Sequence, residues 1–244
     1  MEEKFSIQAG DIFLVTGINA MSKPITKGQK VFYDKAISSH ILIAISDGIY
    51  IHATTDSGVA ITTFQEEMPN IKDSWRAIRL KELSAENKES LMRSVVHFLG
   101  QDYNKAFFTA SDGASFCSEL AAKIYKQAGI SILDDKESHK VIPADFDREA
   151  DNQIQWEDIT EDTKECFKKL NDEPSIKIAY LSYKRIMYIV QMRRKMEKVL
   201  EDAFLKTEIV SEGFKKDYIN LKQNTANKVE VPYWDDTFKK DDKN

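Results

Sequence analysis

Two cysteines in 244 residues are too few for a disulfide framework, so the fold must rest on a packed core rather than on cross-links. Five prolines and nine glycines are too thin for a fibrous repeat or a low-complexity linker. No run of about 18 apolar residues occurs, so no transmembrane helix is expected. The opening MEEKFSIQAGD is acidic and has no apolar stretch, so no signal peptide is read there. The expected location is the cytoplasm, or the outside by a route that uses no such signal. A basic excess is missing too. Residues 1–160 carry 17 Lys and Arg against 24 Asp and Glu, and residues 161–244 carry 18 against 16. Neither half has the electrostatic footprint of a nucleic-acid binder.

What is present is 42% hydrophobic and 31% charged, the balance of a soluble globular protein. GDIFLVTG (10–17) reads as a short buried strand between glycines. Residues 18–39 form a long polar connection, expected to be partly helical or a functional flap. Three strands follow, near 40–45, 49–54 and 58–63, turning at SDG and DSG. SWRAIRL (74–80) is a fourth strand and IQWEDIT (154–160) an edge strand. Between them, Leu91, Met92, Val95, Val96 and Leu99 recur at helical spacing behind Ser84, a good N-cap, and before Gly100, a good stop. Beyond 160 the pattern becomes long helices, with Pro174 placed for a first turn. The fold class is α+β: an antiparallel sheet or small barrel packed on a helix, with a C-terminal helical extension. The expected division is 1–160, 161–225 and a loose tail, 226–244.

Cys117 opens the amphipathic helix of SFCSELAAKIYKQAGI. Leu120, Ala121, Ile124 and Ala128 fall on its side of that helix, so the thiol points toward the sheet. It also lies in the first turn, where unpaired N–H groups and the helix dipole favour an anion. That effect is worth roughly 0.3–2 kcal/mol, too little to ionise a thiol whose free pKa is about 8.5. A histidine must supply the rest. His97 and His139 suit ordinary roles on a helix and in a loop. His40 and His52 lie on adjacent strands, and register decides whether they meet. A three-residue loop at SDG sets Leu42 opposite His52 and makes His40 its diagonal neighbour. It also gathers Ile41, Ile43, Ile45, Ile49 and Ile51 on the other, dry face. A bare Asp47–Gly48 turn would put the histidines on opposite faces, so the three-residue loop is the expectation.

The set Cys117, His40 and His52 follows the logic of a cysteine hydrolase: nucleophile, base, and a second histidine that fixes the tautomer of the first. Two His and one Cys could also hold zinc, but the close-spaced ligand motif is missing, and no metal or cofactor is assigned. Tyr103 is a weak candidate for the pocket wall. Glu119 should turn away from Cys117 into a solvated or capping role.

Taken in order, GDIFLV, SHILIAI, GIYIHA, FCSEL and IPADF resemble the circularly permuted papain-like hydrolases of the NlpC type, including the YiiX-like amidases. In that group the histidine strand precedes the cysteine helix, as here, and the resemblance covers about residues 8–160. It implies Cys117 as nucleophile and His40 as base. His52 falls where YiiX-like members often carry a Glu. The H…DGxxxH pattern is similar to the lecithin-retinol acyltransferase group, whose motif around the cysteine differs from FCSEL. The resemblance implies acyl transfer through a thioester, with the Cys117 N–H as one oxyanion donor.

Three readings stand: an amide hydrolase acting on a peptide, peptidoglycan-type or N-acyl substrate; a lipid thioesterase or acyltransferase using the same residues; and a non-catalytic binding domain with a helical interaction module. The extension repeats Ile189, Met192, Met196, Val199 and Ala203 at steps of three and four, a face for packing, partner contact or dimerisation. Arg193, Arg194, Lys195 and Lys198 would allow peripheral membrane contact. Glu197, Glu201 and Asp202 make a solvated face the plainer expectation. Cys166 is read as structural.

Overall fold

A computed structural model describes residues 6–18, 22–172 and 174–227. Six strands form one antiparallel sheet in the order β4-β3-β2-β1-β5-β6. They are β1 (Ile12–Val15), β2 (His40–Ser46), β3 (Ile49–Thr54), β4 (Gly58–Thr63), β5 (Arg76–Leu80) and β6 (Trp156–Asp158). The helices are α1 (Ser22–Gln29), α2 (Phe64–Glu67), α3 (Ala85–Phe98), α4 (Cys117–Gln127), α5 (Pro143–Asn152), α6 (Thr160–Asp172), α7 (Pro174–Lys206) and α8 (Glu212–Asn227). Ser84 caps α3 as expected: its side chain accepts the Asn87 N–H, and the Asn87 side chain returns to the Ser84 N–H,.

Register assigns the two faces of the sheet. Ile12 pairs with Ile43 and Ile78, Leu14 with Ile41, and Ile43 with Ile51, so these six aliphatic residues share one face. Trp156 pairs with Leu80, two residues along from Ile78, and belongs to the same face. Its ring meets Tyr125 of α4 at 5.7 Å and Phe146 of α5 at 6.0 Å. The cysteine helix therefore covers the aliphatic face. The opposite face is aromatic. Phe13 lies 4.6 Å from Tyr50, 5.8 Å from both Phe64 and Trp75, and 6.1 Å from Phe167, ring centre to ring centre.

Phe167 belongs to α6 and stacks on Phe64 at 3.9 Å. The core thus extends past the expected boundary at residue 160. The chain divides into two compact units between Arg194 and Lys195. In the second unit Phe204 packs on Phe214 and Tyr218, at 6.1 and 5.2 Å. Ile189, Met192, Met196 and Val199 are exposed. Most of the expected tail, from residue 228 on, lies outside the described residues. Among the described residues no helix is long and apolar enough to cross a membrane.

Candidate active site

The turn between β2 and β3 differs from expectation, yet the histidines still meet. Ser46 pairs with Ile49, so the loop is Asp47–Gly48 alone, with Gly48 at φ +71° as this tight reversal requires,. A bulge between Ala44 and Ser46 then absorbs one residue, and Ala44 faces Tyr50 and Ile43 faces Ile51,. Beyond the bulge the register equals that of a three-residue loop. His40 and His52 fall on the same face, with His40 Nε2 at 3.2 Å from His52 Nδ1.

Both histidines lie past Ile43–Ile51, where the β2–β3 pairing ends. Cys117 approaches this open end from the aliphatic side. It is the first residue of α4, buried, and its first turn begins with the Leu120 N–H bonding to the Phe116 carbonyl at 2.8 Å. Burial pushes the thiol up to about 11,. Main-chain N–H groups act against that rise: Ile41's first, then those of Ser118 and Cys117 itself. The sulfur thus sits against the backbone of the residue next to His40. Burial also drives His40 well below the ordinary histidine range. The neighbouring His52 adds to this and Glu67 opposes it. His52 is lowered by burial as well, with Glu66 pulling upward and Lys184 downward. Each group taken alone is neutral at pH 7.

Three supports were not evident in the sequence. The first is Glu67, whose Oε1 lies 3.8 Å from His52 Nδ1 and accepts Thr62 Oγ1–H at 2.7 Å. It is delivered by α2, whose start is marked by Thr63 and Glu66: the Glu66 carboxylate accepts the Thr63 N–H at 3.2 Å. That T-x-x-E pattern was readable as a capping box. The second is Asp147 of α5. It accepts the N–H groups of Ile37 and Ser38 at 3.0 and 2.9 Å and the Ser38 hydroxyl at 2.6 Å, holding the chain that enters His40. Gln29 adds to this by accepting the Ala144 N–H at 2.6 Å and donating to the Ser38 carbonyl at 3.3 Å. The described part of the expected flap is therefore fastened to α5. No local pattern signals a clamp across 109 positions.

The third support is Glu119. It does turn away from Cys117, but it is fully buried rather than solvated. Its Oε2 accepts the Phe116 N–H at 3.2 Å, the capping half of the expectation, and Asn104 Nδ2–H at 3.0 Å. Its Oε1 pairs with Lys123 at 2.9 Å, which compensates a carboxylate that could not remain charged and buried alone. Tyr103 lies partly buried against the core, its hydroxyl pushed upward by burial and by the nearby Cys117. His97 is exposed, and His139 sits 3.3 Å from Glu137, away from this group. Cys166 packs against the core. Among the described residues no cluster of three or more His, Cys, Asp or Glu side chains is arranged to hold a metal ion.

No curated protein matches the chain. Among solved structures it is similar to metalloprotein yiiX from Escherichia coli O157:H7, at 22% identity and a TM-score of 0.42, over 51% of this chain and 67% of that one. Residues 6–163 match the family described as permuted papain-like amidase enzyme, YaeF/YiiX, C92. This protein is a member of that family of papain-like cysteine peptidases and amidases.

Proposed function

We propose that the chain hydrolyses an amide bond through a thioester on Cys117, with His40 as the base and His52 as its positioning partner. The observation that carries this reading is the 3.2 Å contact between His40 Nε2 and His52 Nδ1, one residue from the backbone that meets the thiol. With Nε2 engaged by His52, Nδ1 of His40 is the nitrogen left for the sulfur proton. A neutral thiol beside a neutral imidazole gains charge only as attack begins. The proton passes to His40 while sulfur bonds to the carbonyl carbon, and the N–H groups at the start of α4 face the oxyanion. His40 then gives that proton to the leaving amine as the C–N bond breaks. Water enters by the same route: His40 takes its proton, hydroxide adds to the thioester, the C–S bond breaks, and the thiolate recovers the proton.

The test is the pH dependence of Cys117 alkylation by iodoacetamide, in a Cys166→Ser background. A thiol titrating alone near 11 reacts tenfold faster per pH unit across neutrality. A thiol served by a base reacts at a rate that is flat between the two groups' own titrations. Wild type should be flat from pH 6 to 8, and His40→Ala should restore the tenfold slope. The same substitution should lower amide turnover by about 10²–10⁴-fold. Identical steep slopes in both proteins would sink the proposal. Parallel assay of amide and thioester substrates separates amidase from thioesterase.

A further inference from the structure

Beside the nucleophile, the loop between α3 and α4 presents an apolar surface on an otherwise polar segment, DYNKAFFTASDG. Phe116 immediately precedes Cys117. The Phe107 ring packs 5.4 Å from that of Phe116, and the Tyr103 ring meets Phe107 edge-on at 6.2 Å. Tyr103 in turn lies close enough to Cys117 to respond to its charge. Phe107 and Phe108 remain 54% and 55% exposed, although a phenylalanine side chain is stabilised by burial. Phe108 holds φ at +64°, a backbone state that bulky side chains rarely adopt and that occurs preferentially at functional sites.

This loop is built rather than slack, and its anchors stand on the cysteine helix. Asn104 is buried and donates to Glu119 Oε2 at 3.0 Å and to the Thr109 carbonyl at 2.9 Å, while accepting the Ala106 N–H at 3.0 Å. Lys123 donates to the carbonyls of Ser111 and Ala114, at 2.5 and 2.9 Å. Glu119 and Lys123 follow Cys117 by two and six positions on α4. The aromatic surface is therefore held in register with the sulfur.

We infer that the loop from Tyr103 to Phe116 is the acyl-binding wall of this site, and that the scissile carbonyl of the substrate carries an apolar acyl chain. The inference rests on the cysteine-hydrolase reading of Cys117. The acyl group is the part of the substrate that stays bonded to sulfur, so it is the part that the exposed Phe107 and Phe108, with Phe107 backed by the buried Phe116, contact throughout the reaction.

The experiment is kcat/KM for 4-nitrophenyl esters from acetate to hexanoate, with wild type, Phe107→Ser, Phe108→Ser and Cys117→Ala. Wild type should gain on the order of threefold per added methylene. The hexanoate-to-acetate ratio should fall at least tenfold in Phe107→Ser or Phe108→Ser. Phe107 packs on Tyr103 and Phe116, so the Phe108 variant keeps the test open if Phe107→Ser does not fold. A flat wild-type profile with Cys117-dependent turnover would overturn the wall and leave the hydrolase reading intact. So would a steep profile unchanged in both serine variants. Equal turnover by Cys117→Ala and wild type would remove the hydrolase reading and the wall together.

Discussion

On one face of the sheet, aliphatic residues from β1, β2, β3 and β5 meet α4 and α5; on the other, an aromatic group joins α2 and α6, with His40, His52 and the glutamates of α2 at its edge. The thiol comes from the first side and the imidazoles from the second. The thiol reaches the Ile41 backbone, next to His40, at the end of the β2–β3 pairing. The contrast teaches that residues carried on opposite faces of a sheet become near neighbours in sequence and space where the pairing ends. The proposed mechanism places the meeting of thiol and imidazole there.

Removing the aromatic face should cost stability without touching the thiol. Phe167→Ala should destabilise the fold by about 3–5 kcal/mol and leave the alkylation profile of Cys117 unchanged below the melting transition. A loss under about 1 kcal/mol in chemical denaturation would mean that α6 is peripheral and that the core ends nearer residue 160.

Acid should act through the histidine edge. Both histidines are held below their ordinary value of 6.5, so above pH 6.5 neither state binds these protons and the fold keeps its full stability. As pH falls below 6.5, the unfolded chain takes up two protons that the fold refuses. Stability should then decline by up to about 2.7 kcal/mol per pH unit, toward the lower folded values. Urea midpoints at pH 7, 6 and 5 measure this, and His52→Asn should roughly halve the slope. A midpoint constant from pH 7 to 5.5 would show that the histidines are not buried as neutral rings.

The smallest expected effect belongs to Glu67. Its negative charge favours a protonated His40, so Glu67→Gln should move the acid limb of turnover to lower pH. It should also slow turnover by on the order of tenfold, the equivalent of one pKa unit. Glu67→Asp should recover part of the loss. An unchanged pH profile in Glu67→Gln would leave the carboxylate with a purely structural place beside Thr62.

The parts that were legible in sequence are those whose cause is local. Alternating isoleucines bounded by the SDG and DSG turns located β2 and β3, the DSG turn marked the start of β4, and Ser84 with Asn87 located α3. The pairing of His40 with His52 was anticipated through the wrong turn: the bulge beside Ile45 supplies the extra residue that had been assigned to the loop, and both routes give one register. The parts that were not legible depend on distant partners. Asp147 acts on Ile37 and Ser38 from α5, and Phe167 reaches the core from beyond the apparent boundary. The burial of Glu119 could not be read from its helical angle, because its partner Asn104 comes from a loop with no periodic pattern.

The Asp147 clamp also sets an order of assembly. Ser38 leaves the ribosome 109 residues before the carboxylate that fastens it, which at about 5–20 residues per second is roughly 5–20 s of synthesis. Until then the chain entering His40 lacks its tether, even after Cys117 has emerged. On the proposed mechanism, such a nascent chain carries Cys117 before His40 is fastened, and reactivity is expected only once the domain is nearly whole.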